Sequence, residues 1–385
     1  MRTLLLATLV AAMPATAQEA FRPHVSGELE LQFRPFRTYG STDRNRRHWD
    51  TTLKGELGFG LHLTPTLSIQ GEAKYEPLLE PPQRDRFLQD QGAFLEQLFV
   101  NWQAHPDYSV FAGKFTAPFG IGFHDFPGIC TRDFAEAYEF SERIGAGLDW
   151  TWLSDPRFGT HDIRAAFFFQ DTSLLTETAF TRPRFGDPGV ERARSIRAWH
   201  GGPSNTGRPG SFAVGLFGEL PAPVDGLAYH LGVSGQQPGK DGTSWQWSYV
   251  ATLTWFQDWG AGFSTKAWVE AVRFINTGAK PFDDDGNLAG QRDTLLTLAL
   301  QARWHDWRAA AVYQRQDTTS SLGTPPGFNY LELSVGRKLF DFDAGFSRPQ
   351  VHADLGWSRT RSASDEGTPI YDRAVLGMVT LTAGF

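Results

Sequence analysis

The sequence alternates, and alternation of period two is what most limits the folds open to it. In SGELELQFR, Gly27, Leu29, Leu31 and Phe33 are separated by Glu28, Glu30, Gln32 and Arg34. TLKGELGFGLHL places Leu53, Gly55, Leu57, Phe59 and Leu61 on one face. SWQWSYVATLTW does the same with Trp245, Trp247, Tyr249, Ala251, Leu253 and Trp255, and TLLTLALQARW with Leu296, Leu298, Leu300, Ala302 and Trp304. Strict alternation of this length describes strands with one apolar and one polar face. Helical spacing is not sustained after the first residues.

The connections alternate as well. Short ones fall at 64–66, 105–107, 154–159, 221–226, 258–260, 305–307 and 340–349. Long ones fall near 36–47, 78–91, 117–141, 171–210, 236–243, 275–291, 317–326 and 361–370. Fifteen connections imply sixteen strands. An even count brings the first and last strands to the same side, where they can pair. This rhythm predicts an all-β fold: a transmembrane antiparallel β-barrel with short periplasmic turns and long outer loops. A soluble β-sandwich would alternate too, but has no need for a repeated short–long rhythm.

Composition supports a barrel in lipid. There are 31 Phe, 13 Trp, 9 Tyr and 40 Gly. Trp102, Tyr108, Trp150, Trp152, Trp255, Trp259, Trp304 and Trp307 flank short turns, as an interfacial aromatic girdle requires. Residues 1–17 read as a cleaved signal peptide: Arg2, the apolar run Leu4 to Met13, and the small-residue site Ala15-Thr16-Ala17. That leaves 18–385 as the barrel. A net charge of −7 argues against nucleic acid as a partner. Cys130 is the single cysteine, so no internal disulfide forms.

Catalytic templates are missing. There is no G-x-S-x-G, H-E-x-x-H, phosphate-binding P-loop or C-x-x-C, and no cofactor is implied. An outer-membrane enzyme would need a Ser–His pair on the barrel wall, such as Ser68 with His62, and no sequence motif marks one. Asp283, Asp284 and Asp285 in PFDDDGNLAG offer a weak calcium site, but lack a closing glutamate, and a solvated outer loop accounts for them better.

The stretch GKFTAPFGIGFHDFPGICTRDFAEAYEFSER (113–143) stands out. It is dense in Gly and Pro, and it carries Phe119, Ile121, Phe123, Phe126 and Ile129. Such a loop suits folding back onto the inner wall. As loop 117–141 it carries Asp125, Asp133, Glu136 and Glu139 against Arg132, a net −3. If apolar positions face lipid, the lumen receives Arg34, Lys54, Lys74, Lys114, Arg143, Arg164, Lys266, Arg303 and Lys338, and ten carboxylates including Glu72, Glu270 and Glu332. An acidic loop facing a basic wall of Arg34, Lys54 and Lys74 would set a transverse field across a constriction. Lys114, Asp125, Asp133, Glu136, Glu139 and Arg143 are the candidate constriction residues; Arg34, Lys54, Lys74, Arg164 and Arg303 are the basic wall.

With this pattern the chain resembles the bacterial porins, whose third loop narrows the pore. GKFTAPFG is also similar to a segment of the phosphate-selective porins O and P, although no surplus of lumen positive charge accompanies it. The ending VLGMVTLTAGF resembles the C-terminal signature of outer-membrane proteins. These resemblances imply a homotrimer in lipid and lipopolysaccharide, assembly-machinery recognition through Phe385, and passive diffusion of small ions and solutes. Three rivals share the architecture: a phosphate or anion channel, a lipase- or protease-like outer-membrane enzyme, and a structural barrel plugged by loop 117–141 or 171–210.

Overall fold

The computed structural model describes residues 21–78, 84–179, 197–221, 224, 226–279, 291–320, 327–342, 345, 347–364 and 367–385. The predicted signal peptide and Asp283 to Asp285 lie outside them, as does much of loop 171–210.

Sixteen long strands form one sheet that closes on itself. In chain order they are β1 (His24–Ser41), β2 (Trp49–His62), β3 (Leu67–Pro77), β4 (Gln91–His105), β5 (Tyr108–Phe115), β6 (Arg143–Asp155), β7 (Gly159–Gln170) and β8 (Ser211–Glu219). They continue with β9 (Leu227–Gln236), β10 (Gln246–Gly260), β11 (Phe263–Ile275), β12 (Arg292–Trp304), β13 (Trp307–Thr319), β14 (Phe328–Asp341), β15 (Gln350–Ala363) and β16 (Pro369–Gly384). Each pairs antiparallel with its sequence neighbours, and β1 pairs with β16. A two-residue strand, Arg86–Phe87, adds in parallel to β2. Closure leaves no open edge for lipid to meet.

The last residue is part of that closure. Phe385 and Gly27 exchange both backbone hydrogen bonds, each 2.9 Å. The Phe385 ring lies over Gly27, where a Cβ would come within 2.3 Å of it. Only glycine allows the terminal ring to lie flat on the first strand.

The outer face carries the expected alternating apolar residues, with Leu253, Leu298, Leu300, Leu333, Val375 and Val379 exposed. All eight girdle aromatics named above are also exposed. Several strands run farther outward than their alternation suggested: β1 extends to Ser41 and β13 to Thr319. Polar residues continue those ladders beyond the apolar belt, so hydropathy does not mark where they end.

Two strands that alternate poorly do so for different reasons. In β4 the register shifts opposite Glu72 and Ala73, which face Gln97 and Leu95 and leave Glu96 as a bulged extra residue. In β11 the inward tryptophan Trp268 breaks the alternation without any bulge. The ladder runs unbroken there on both sides. Trp268 faces inward, 3% exposed, because an apolar surface awaits it inside the barrel.

Candidate functional site

That inner surface is made by residues 116–142, between β5 and β6. The segment closes at its neck where Ala117 N–H donates to the Phe140 carbonyl (2.9 Å). It holds two short helices, α1 (Gly122–Asp125) and α2 (Thr131–Glu136). Phe119, Phe126, Tyr138 and Phe140 bury themselves against inward-facing Val250, Trp268, Val272, Phe274, Leu295 and Val312 of β10 to β13. Farther along, Ile129 packs on Leu376 and Met378 of β16. Each buried side chain of this size contributes about 1.5–3 kcal/mol. The loop therefore lies inside the barrel, held by a core of its own.

Two wall carboxylates fix its backbone. Glu270 on β11 accepts from Ile121 N–H (3.1 Å), from the Tyr138 hydroxyl, and from Thr252 Oγ1 (2.6 Å). Glu332 on β14 accepts from the successive N–H groups of Ile129 and Cys130 and from the Tyr330 hydroxyl (2.6 Å). Gln314 on β13 donates to the Thr131 carbonyl (2.8 Å). Both carboxylates are essentially inaccessible. Alternation placed them correctly in the interior, but their neighbours make them loop anchors rather than water-facing charges. A buried carboxylate with several donors is satisfied, and removing it orphans every donor.

The opposite flank of the loop is held by charge. Arg34 donates from both terminal nitrogens to Asp133 (3.1 and 2.6 Å), and one of them also lies 3.1 Å from Cys130 Sγ. Lys54 bridges Asp133 (2.9 Å) and Glu136 (3.1 Å), with Glu76 at 3.7 Å. Lys266 pairs with Asp125 (3.1 Å), and Arg132 with Glu30 (3.3 Å). The structure thus joins the acidic loop and the basic wall directly. Opposite charges 2.6 to 3.1 Å apart largely cancel at a distance, so Arg34, Lys54, Asp133 and Glu136 do not face one another across open water.

Burial alone would raise the Asp133 carboxyl, but Arg34 and Lys54 outweigh it and hold it well below the usual carboxylate range. Its side chain still has 42% exposure to the lumen, so water screens the pairs and their net contribution is modest. Burial lifts Glu136 and Glu139 above the usual range, Glu139 strongly and in spite of Lys74. Burial, with Lys74 nearby, pushes the His124 imidazole down to about 4, so it is neutral at pH 7.

The other candidates lie apart from this cluster. Lys74 is enclosed with Glu96 (2.7 Å) and Glu72 (4.0 Å). Lys114 is 2% exposed and meets Asp171 (3.2 Å), Glu142 (3.8 Å) and the Leu175 carbonyl (2.8 Å). That places it in the wall, where β5 turns inward and residues 171–179 fill in beside β4 through an Ala93–Ala179 bridge. Arg143 packs over the Phe168 ring at 6.0 Å. Arg164 lies 3.9 Å from Asp149 and 4.5 Å over the Phe217 ring. Arg303 donates to Gln301 (2.8 Å) and has no carboxylate partner among the described residues.

Sequence reading missed Glu96, hidden by its bulge, and Asp171, hidden in a loop. It also missed two ion pairs: Arg86 with Asp50 (2.6 Å), and Arg308 with Asp354 (2.6 Å). Arg308 was legible as an inward position two strands over from Asp354, with Gly336 between them; the others left no signal. Of the Ser–His pairs, Ser26 rather than Ser68 meets His62, with Oγ 3.0 Å from Nε2. No carboxylate orients that imidazole among the described residues, and no group of three metal-ligating side chains occurs among them.

The sequence matches no protein-family model. It matches no curated protein either. The fold does have relatives. The outer membrane channel DcaP of Acinetobacter baumannii superposes with a TM-score of 0.54 at 9% identity, over 94% of this chain and 96% of that one. A loop L8 deletion mutant of OmpT, an outer membrane protein of Vibrio cholerae, gives 0.51 at 9% identity, over 93% and 99%. Pseudomonas aeruginosa OccK9 aligns over 93% of this chain and 98% of its own at 12% identity, with a TM-score of 0.47. At such identities the likeness to DcaP and OmpT is one of fold alone, a closed β-barrel of the outer membrane. The link to phosphate-selective porins drawn from GKFTAPFG is not confirmed by these likenesses.

Proposed function

We propose that this protein is an outer-membrane porin that lets ions and small hydrophilic solutes diffuse passively through its lumen. The observation that carries the reading is loop 116–142, folded into a closed barrel and fixed to strands on several sides by Glu270, Glu332, Arg34 and Lys54. A loop held this way narrows the lumen permanently and sets what passes. Asp125, Asp133, Glu136 and Glu139 supply the acidic side of the constriction in this reading, and Arg34 and Lys54 hold it in place. Lys114, enclosed in the wall, serves the neck of the loop instead.

The lipid-facing belt and its aromatic girdle support a barrel in the outer membrane, in contact with lipid and lipopolysaccharide. The paired and exposed Phe385 is the end that assembly machinery would read. The porin resemblance implies a homotrimer.

A second reading, anion preference, is favoured by Arg303. It stands directly across from Arg308 on the neighbouring strand, and Asp354 pairs with Arg308 but not with Arg303. Like charges so placed cost stability unless an anion or water separates them.

The test is single-channel conductance of the purified protein in a planar bilayer under a salt gradient. Large, unsaturating steps with slight cation preference support a general porin. Steps that saturate with phosphate and favour anions support the second reading. Silence, with esterase activity, would sink both.

A further inference from the structure

His24 and His62 are directly opposed residues on β1 and β2. Their even positions share the face of Glu30, Arg34, Lys54 and Glu56, so both look into the lumen, at the short-turn end. The rings stack with centroids 4.6 Å apart and planes 14° from parallel. We propose that this pair is a binding site for a divalent transition-metal ion at the inner mouth of the lumen.

Three features favour a ligand over simple packing. First, the spacing fits. Opposed residues on antiparallel strands have Cα atoms roughly 4.5–5.5 Å apart. Two imidazole nitrogens on one ion, each about 2.0–2.1 Å from it, need a similar local approach. His24 is exposed, so a dissolved ion can reach the ring pair.

Second, each ring already has a partner on one nitrogen. His24 Nδ1 lies 3.1 Å from the Arg22 carbonyl. A carbonyl only accepts, so Nδ1 carries the proton and Nε2 keeps its lone pair. The Ser26 hydroxyl lies 3.0 Å from His62 Nε2 and can accept from it, the tautomer that leaves Nδ1 with a free lone pair. Fixing one nitrogen through a neighbouring oxygen is how metal-binding imidazoles are oriented.

Third, the sheet makes room. A Cβ on Gly60 would stand 3.1 Å from both His62 Nε2 and Ser26 Oγ. The bare backbone lets the ring fold over β2 and reach Ser26.

Two imidazoles with water completing the shell make an exchangeable site. Neutral nitrogen ligands favour Cu²⁺, Zn²⁺ or Ni²⁺ over Mg²⁺ and Ca²⁺. In that position the ion adds positive charge to the inner mouth.

The experiment is calorimetric titration of the purified full-length barrel in detergent with Cu²⁺ alone, then Zn²⁺ alone. One ion per chain is expected, with Cu²⁺ tighter than Zn²⁺. His24→Ala and His62→Ala should each weaken binding ten-fold or more, while His352→Ala should not. His62→Gln, with folding checked by heat-modifiable gel migration, guards against a collapsed variant. Unchanged binding in the His24→Ala/His62→Ala double variant, or none in the parent, overturns the site. The channel reading fails separately, through absent conductance in a barrel that still binds metal.

Discussion

Glu332→Ala removes the acceptor shared by the Ile129 and Cys130 N–H groups and the Tyr330 hydroxyl, and Cys130 reports the result. Hydrogen bonds to a charged group contribute about 1.5–3 kcal/mol each, part of which lumen water would restore. Burial pushes the Cys130 thiol up to about 12, with Asp133 and Glu332 adding to the effect against Arg34. At pH 8 its thiolate fraction is then about 10⁻⁴, against about 0.2 for a free thiol near 8.5, a ratio of about 2,000. A more basic thiolate is intrinsically more nucleophilic. With a Brønsted slope of about 0.45 that returns about forty-fold, leaving about fifty-fold. Maleimide labelling of the folded parent should therefore run about fifty-fold slower than labelling of the unfolded chain. Glu332→Ala should recover at least ten-fold of that, by freeing the segment and removing a negative neighbour. As the single cysteine, Cys130 gives an unambiguous signal. A variant labelled within two-fold of the parent would refute Glu332 as an anchor. A parent labelled at the free-thiol rate would show that the loop is not seated at all.

Other consequences follow from the same contacts. Asp133→Asn with Glu136→Gln frees Arg34 and Lys54 inside the lumen; one charge acting at about 4 Å in water is worth about 1 kcal/mol, so the anion-to-cation permeability ratio should rise up to about five-fold, and an unmoved reversal potential would sink the assignment. Acid should act with two signs. Asp133, depressed in the folded state, contributes stability above its unfolded range that is lost only as pH falls through its low folded value, so the loop should stay seated at pH 4. Glu136 and Glu139, raised when folded, favour folding less as pH climbs past the ordinary carboxylate range; cation preference should therefore weaken, and the thermal midpoint rise, between pH 8 and pH 5. Faster Cys130 labelling between pH 5 and pH 4 would contradict the Asp133 placement. Gly27→Ala forces the Phe385 ring off the first strand, and a lower yield of heat-modifiable, closed barrel should result; Gly40→Ala, whose nearest neighbour would be 3.7 Å away, should be harmless.

The architecture was legible because a barrel in lipid obeys a one-dimensional rule. Each strand must turn an apolar face outward, so the facing of Leu29, Leu253 or Leu298 can be read from its neighbours. Closure then follows from an even strand count, and Phe385 falls where the last strand needs it. The girdle tryptophans were legible for the same reason. The interior obeys no such rule. An inward position can meet water, as Arg303 does, or a loop, as Trp268 and Val272 do, and alternation treats the two alike. Glu270 and Glu332 show the cost of that ambiguity: the right face, but with the roles of anchors. Whether Asp133 opposes Arg34 across water or grips it at 2.6 Å depends on the path of a loop that returns to strands far away in sequence. The wall is readable from local pattern, because lipid acts on every strand separately. What the wall faces is not, because it rests on contacts between Asp133 and Arg34, and between Ile129 and Glu332, that join residues far apart in the chain.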